Sequence, residues 1–531
     1  MLDEKCNSNC IEYYIFFTMR FLKILLFILF AYNFSLYSQE ISTAILTTDQ
    51  IEKLKSAEVS EIKSMLEELE VNVDDSNSLE SLIKSVMNSA DFNNDLDLEN
   101  KASSLSEAII DYAIEENKDL ANVVFKTSNT ITGVFVEEAI TRSLDVADVT
   151  ERVVSGTVYG AINASSVNTT VIVDSLAAGA TEAVIDLSSE STLDIMEVVS
   201  AAASGLVAGS YQSAIKNNID TTDIVITTAK TISSTSMKIA LEKNIDLAKI
   251  SNAVAMGTAE GAVEASIGQI AEVTEVGIES ILMVAKSASK ATTSGAISFV
   301  SNEVDNSTIN EIAEASSAGA TAGAIKAASA LGIHKRIILD PAKIEQIDVN
   351  EIITSVASGA TEGAIEGAVN GNISSANVTA ASAAGAASST VNTAIEVNAE
   401  VPLAVEAAAS GIGEGAINAA NEFSMDVSEI SDAAAFGSTQ GSVEAAISNG
   451  LDVQEITDAT TDGILSGTVV EIQPEVEAEV EVEPEPEAEV EVEPEVEVEV
   501  EPEVEVEVEP EVEVEPIPTP IEDPLIISPV A

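Results

Sequence analysis

Between about Asp95 and about Ile472 the apolar positions recur at helical spacing, and the pattern itself recurs every 26 residues. Asp348, Ser374, Glu400, Asp426 and Asp452 stand 26 apart, as do Asp194, Asp220 and Asp246. Eleven residues after the first five come Gly359, Gly385, Gly411, Gly437 and Gly463. Fifteen after them come Gly363, Ser389, Gly415, Gly441 and Gly467. Each unit predicts one helix. It opens on a capping box, as in Asp426-Val-Ser-Glu429, Asp452-Val-Gln-Glu455, Asp194-Ile-Met-Glu197 and Thr308-Ile-Asn-Glu311. There the first side chain accepts an orphan backbone N–H and the Glu reaches back. It closes on Asn449-Gly450, Asn370-Gly371 or Asn217-Asn218, residues that tolerate the left-handed conformation ending a helix. About 22 residues lie between, or roughly 33 Å of helix. The few that remain suffice for a short turn, so consecutive helices should run antiparallel.

A helical wheel separates two apolar faces. Offsets 4, 8, 11, 15 and 19 from the cap form a flat face of small residues and Ile, here Ile430, Ala434, Gly437, Gly441 and Ala445. Offsets 17 and 21 form an aliphatic face: Val443 and Ile447, Ile365 and Val369, Tyr211 and Ile215. A helix with two contact faces is gripped on both sides. The expected fold class is therefore all-α, an array of antiparallel helices built as an α-solenoid or curved bundle. Glycine costs about 1 kcal/mol relative to alanine inside a helix, so its recurrence implies close backbone approach.

The period is imperfect. Asp95, Asp119, Asp145 and Asn168 start the early units, and Asp145 keeps both glycines at Gly156 and Gly160. Glu272 continues the spacing without the glycines, Thr308 restarts the frame, and an insertion near 331–346 precedes Asp348. Residues 39–94 lack the repeat glycines and predict a helical cap, with apolar positions Leu54, Ile62, Met65, Leu66 and Leu69 and a second helix over Asn77–Met87. Residues 473–531 form an acidic Val-Glu-Pro tail. From Glu471 to Glu515 there are 22 Glu and no positive charge, a composition that cannot pack a core.

Residues 1–38 read as a signal peptide, with Arg20 and Lys23 before the apolar run Ile24–Ala31 and a cut near Ser38. Met19 is an alternative start, and an N-terminal membrane anchor is the alternative localisation. Both cysteines, Cys6 and Cys10, fall in this leader, so the mature chain would hold no disulfide or thiolate metal site. The net charge of -67 argues against nucleic acid as a partner. It leaves diffuse divalent cations, a protein or polysaccharide at the cell surface, and self-association as the expected contacts.

No catalytic, cofactor-binding or metal residue is assigned. The single histidine, His334, reads as a loop residue in a basic cluster. Glu362 and Glu366, one helical turn apart, read as a solvated face. Asp91, Asn93, Asp95 and Glu99 match part of an EF-hand loop, but Leu96 and Ala102 stand where glycine and glutamate are needed. The spacing Gly359-xxx-Gly363-xxx-Gly367 and Gly257-xxx-Gly261 resembles that of membrane helix pairs. The leading expectation is a secreted or cell-surface structural scaffold on an acidic stalk. A membrane-inserting or pore-forming assembly and an exported polymer hydrolase are the alternatives.

Overall fold

A computed structural model describes residues 58–468 except 69–70, 88–89, 91, 93, 166–168, 270–274 and 335–347. The leader, both cysteines and the acidic tail lie outside the described residues, as do Asn168, Glu272 and most of the insertion. The described residues form a succession of helices without a strand. Two short helices, α1 (Val59–Glu68) and α2 (Ser76–Met87), come first. They are followed by α3 (Asp95–Glu115), α4 (Leu120–Arg142), α5 (Val146–Ala164), α6 (Thr169–Glu190), α7 (Ile195–Asn217), α8 (Thr221–Lys243) and α9 (Leu247–Gln269). Then come α10 (Glu275–Val300), α11 (Asn306–His334), α12 (Val349–Asn370) and α13 (Ser375–Glu396). The last are α14 (Val401–Glu422), α15 (Val427–Asn449) and α16 (Val453–Thr468).

Local chemistry sets the ends. The carboxylates of Asp119, Asp145, Asp194, Asp220, Asp348 and Asp426 accept amide N–H bonds from the first turn of their helices. Ser374 and Glu400 hold the cap position without a side-chain cap bond, and Pro402 helps to start α14 instead. Two expected caps move. Asn94, not Asp95, caps α3, and Asp305, not Thr308, caps α11 by accepting from the Thr308 amide at 2.9 Å and its hydroxyl at 3.2 Å. At the other end, Ser143, Asn218, Asn244 and Gly450 adopt left-handed backbone. After α12 that role falls to Asn372 (φ 53°) rather than Gly371 (φ −81°).

The residue that follows each left-handed non-glycine one, and Leu451 after Gly450, donates its amide to an alanine carbonyl in the last turn, and all but Lys118 are apolar. Examples are Ile219 to Ala214, Ile245 to Ala240, Ile373 to Ala368 and Leu451 to Ala446. The next residue is already the cap of the next helix. A left-handed residue, an apolar one and a cap thus make the whole turn, and each helix reverses on the one before.

The helices sort into two layers, odd-numbered and even-numbered. Within a layer each helix packs most closely on the helix two places away, and its contacts to the sequence neighbour in the other layer are sparser. The repeat glycines explain this. Gly437 and Gly441 of α15 lie against the Ala380 and Ala384 carbonyls of α13. Gly411 and Gly415 of α14 lie in the same way against Thr354 and Ser358 of α12. A Cβ at any of these four would fall within 3.0 Å of backbone. The hydrogen occupying that direction points at the carbonyl, a weak Cα–H···O contact that a larger side chain forbids. Both partners advance together along the chain, so helices two apart are parallel, and antiparallel order holds between consecutive ones.

The same register reassigns α10. Its Gly295 meets Lys230 of α8, and Lys286 and Lys290 receive Gly359 and Gly363 of α12. These contacts place its repeat frame at Ser280, not at the expected Glu272. The core between the layers is alanine, valine and isoleucine, with Tyr211 and Met237 at offset 17. Hydroxyl pairs bridge the layers inside it: Thr228 donates to Ser210 at 3.1 Å, and Ser442 and Thr460 lie 2.9 Å apart. Only half of the expected aliphatic face is interior. Ile365 and Tyr211 are buried, whereas Val369, Ile215 and Ile447 at offset 21 lie more than a third exposed, because the helix has by then reached the turn-bearing edge. At the start of the array α1 packs on α3 and α2 on α4, burying Ile62, Leu66, Leu79 and Ile83.

Gly411→Ala should lower the thermal midpoint by the equivalent of about 1–3 kcal/mol, because overpacking outweighs the gain in helix propensity. Gly133 has no heavy atom within 4 Å of the position a Cβ would take. It should behave oppositely: Gly133→Ala stabilises by about 0.5–1 kcal/mol. Melting curves followed by circular dichroism compare the two. A raised midpoint for Gly411→Ala would contradict the packing described.

Candidate functional site: charge clusters over three-helix rows

The glycine contact brings charged side chains together across helices. On the even layer, Lys286 and Lys290 stand one turn apart on α10, Glu362 and Glu366 on α12, and Glu414, Asn418 and Glu422 on α14. Close approach of the three backbones lets the lysines span the row. Lys286 Nζ lies 2.8 Å from Glu362 Oε1 and 3.1 Å from Glu414 Oε1. Lys290 Nζ lies 3.4 Å from Glu362 Oε2, 3.8 Å from Glu366 Oε2 and 3.3 Å from Glu422 Oε2. Ser358 Oγ and Asn418 Nδ2 also donate to Glu362 Oε1, at 3.4 and 3.3 Å, and Ser294 Oγ donates to Glu366 Oε1 at 3.0 Å.

Glu362 is 6% exposed. The expectation of a solvated face for Glu362 is thus overturned: its partners come from helices remote in sequence. Burial works against the charge on Lys286, yet Glu362 and Glu414 outweigh it and hold the ammonium above its ordinary value. The same balance, with Glu362 and Glu422, raises Lys290. Both ammonium groups stay charged across the physiological range, so the cluster is suited to holding three helices together.

The odd layer carries a different arrangement. Glu151 of α5 accepts from Ser204 of α7 at 2.9 Å, and Glu99 of α3 accepts from Ser155 of α5 at 3.0 Å. Glu260 and Glu264 lie on α9. Burial, then Glu264 and Glu151, push Glu260 up to about 7 against a smaller opposing pull from Lys326. Burial also raises Glu151, and Ser204 only partly offsets it. A carboxylate near 7 could exchange a proton. The charged groups that act on it are the carboxylates Glu264 and Glu151 and the Lys326 ammonium.

The remaining candidates fall elsewhere. His334 ends helix α11 and is not in a loop. Asp97 and Glu99 lie on the first turns of α3, and the Asn94 side chain accepts from the Asp97 amide. Among the described residues no group of three or more His, Cys, Asp or Glu is placed to hold a metal ion. The membrane-like glycine pairs are engaged within the chain. Gly257 and Gly261 face Ser200 and Ser204, and Gly367 faces Ile297. Among the described residues no helix is long and apolar enough to cross a membrane.

No family model and no curated protein matches this chain. Among solved structures it is similar to a circular tandem repeat protein with novel repeat topology and enhanced subunit contact surfaces. That likeness has 13% identity over 79% of this chain and 94% of the other, with a TM-score of 0.21. At that score it bears on neither arrangement nor function.

Lys286→Ala should destabilise the array by about 2 kcal/mol, less than the ~3–5 kcal/mol for a fully buried pair because Lys290 remains. Adding Glu362→Gln should recover part of the loss in a denaturation series, and no recovery would remove Glu362 as the cause. The raised carboxylate has the opposite pH sense from an ordinary ion pair. The fold binds its proton more tightly than the unfolded chain does, so this contribution is complete below the ordinary value of 4.5 and disappears as pH rises through about 7. Glu260→Gln should therefore stabilise at pH 8 by on the order of 2 kcal/mol and flatten the dependence between roughly pH 5.5 and 8. Melting points measured across that range, equal in slope for both proteins, would count against this assignment.

Proposed function

We propose that this chain is a non-enzymatic scaffold, secreted or displayed at the cell surface, in which a helical repeat array presents binding surface and the acidic tail spaces it. The observation that carries the reading is the use of the repeat. Its glycines and Lys–Glu row serve helix-to-helix packing and its capping carboxylates end the helices, so the recurring residues are accounted for by the architecture. Support for export comes from the sequence, where a basic n-region and apolar run precede a small residue at Ser38. The tail resembles a solvated spacer, with dense glutamate and regularly placed proline. Such a body suits protein or polysaccharide partners, with loosely held divalent cations around it.

Fractionation of the source cells, with mass spectrometry of the N-terminus, tests the placement. A mature chain beginning near Gln39 in the medium or on protease-accessible surface is the expected result. An intact leader on a cytoplasmic protein would defeat it.

A further inference from the structure

The packing rule predicts what lies on each helix two places further along, and at α15 and α16 that place is empty among the described residues. Ala387 and Val391 of α13 are buried beneath α15. Their counterparts on α15, Thr439 and Val443, are exposed and half-buried. Large apolar side chains stand on or beside this open face: Phe436 is 66% exposed, Ile447 64% and Leu465 58%. Elsewhere in the array the position of Phe436 is filled by small residues such as Ser155, Ser204, Ser358 and Ala384, or by the flexible chains of Lys230, Met256 and Lys290, and in no other described unit by an aromatic. An aromatic so exposed differs from the repeat where the repeat meets water. Asp432, Asp458 and Asp462 are exposed on the same two helices. No Lys, Arg or His occurs in the sequence after Lys343.

We propose that this end face docks a cationic amphipathic helix of another protein, its apolar side on Phe436, Ile447 and Leu465 and its basic side chains over Asp432, Asp458 and Asp462. Charge complementarity selects this occupant. A second copy stacking through the same face would set these aspartates against one another. Stacking through its first described helices would oppose them to Glu61, Glu67 and Glu68 of α1, while Lys63 and Lys84 there are already paired with Glu115 and Glu80. A helix is the fitting shape because every equivalent face in the array receives one, and aromatic anchors surrounded by polar residues are the usual centres of binding energy. Docking at this face does not depend on export and is separable from the scaffold's location.

The test uses the full chain and a roughly 18-residue Leu/Lys peptide with its leucines on one helical face, compared with a permuted peptide of equal charge and no such face. In fluorescence anisotropy at physiological ionic strength, the amphipathic peptide should bind at least about tenfold tighter than the permuted one. The Phe436→Ser/Leu465→Ser double variant should lose that difference and keep the weak, charge-driven binding of both. Ile226→Ser, at a partly exposed position outside this face, should leave it intact. Equal binding of the two peptides, or an unchanged preference in the double variant, would overturn the proposal. So would a dimer in light scattering that Phe436→Ser dissolves, since the face would then belong to a second copy.

Discussion

The contact between a glycine Cα and a backbone carbonyl two helices back is the constraint on which the rest of this structure depends. It sets the distance between the helices it joins, and that distance admits no side chain larger than that of Ser389, which takes a glycine's place in α13 and donates to the Ala318 carbonyl at 2.7 Å. Once the helices approach so closely, dispersion and weak Cα–H···O contacts act along their length, which offsets the helix propensity lost at each glycine. It also fixes register: where Gly437 meets Ala380, Gly441 must meet Ala384. A slip of one residue would turn both glycines off the contact and bring larger side chains to it.

Charge placement follows from that geometry. Lys286 and Lys290 sit at the carbonyls that receive Gly359 and Gly363, so their side chains emerge beside α12 and reach α14. There they neutralise Glu362, which is nearly buried. The odd layer has the same spacing without lysines at the corresponding place, and Glu260 and Glu151 meet burial with little compensation. One backbone arrangement thus gives a stabilising ion-pair row on one layer and a proton-holding carboxylate on the other. The difference lies in which side chains occupy the positions flanking the glycines.

A stack built by adding each helix onto the one two places earlier has ends that obey different rules from its middle. Helices α1 and α2 cover α3 and α4 with leucine, isoleucine and methionine and carry no repeat glycine. Helices α15 and α16 keep their own glycines, which face backwards, and change the forward face to aspartate, threonine and three exposed apolar residues. The exposed apolar residues give that end a chemistry absent from the interior.

The sequence alone determined the period, the helix lengths and the turn chemistry. Those features come from contacts within a few residues: an aspartate accepting an amide of its own first turn, or an asparagine in left-handed backbone beside an alanine carbonyl. It also marked the glycines as points of close approach. It could not name their partners, because a glycine shows that a side chain must be absent without showing which helix requires it. That choice belongs to the tertiary structure. Selection of the helix two places away moved the frame of α10 to Ser280, joined Lys286 to Glu414 across 128 residues, buried Glu362 and raised Glu260. It also left the offset-21 aliphatics partly exposed at the edge of a two-layer array. Each outcome depends on side chains from three helices converging at one place, a relation that no local pattern in a single repeat contains.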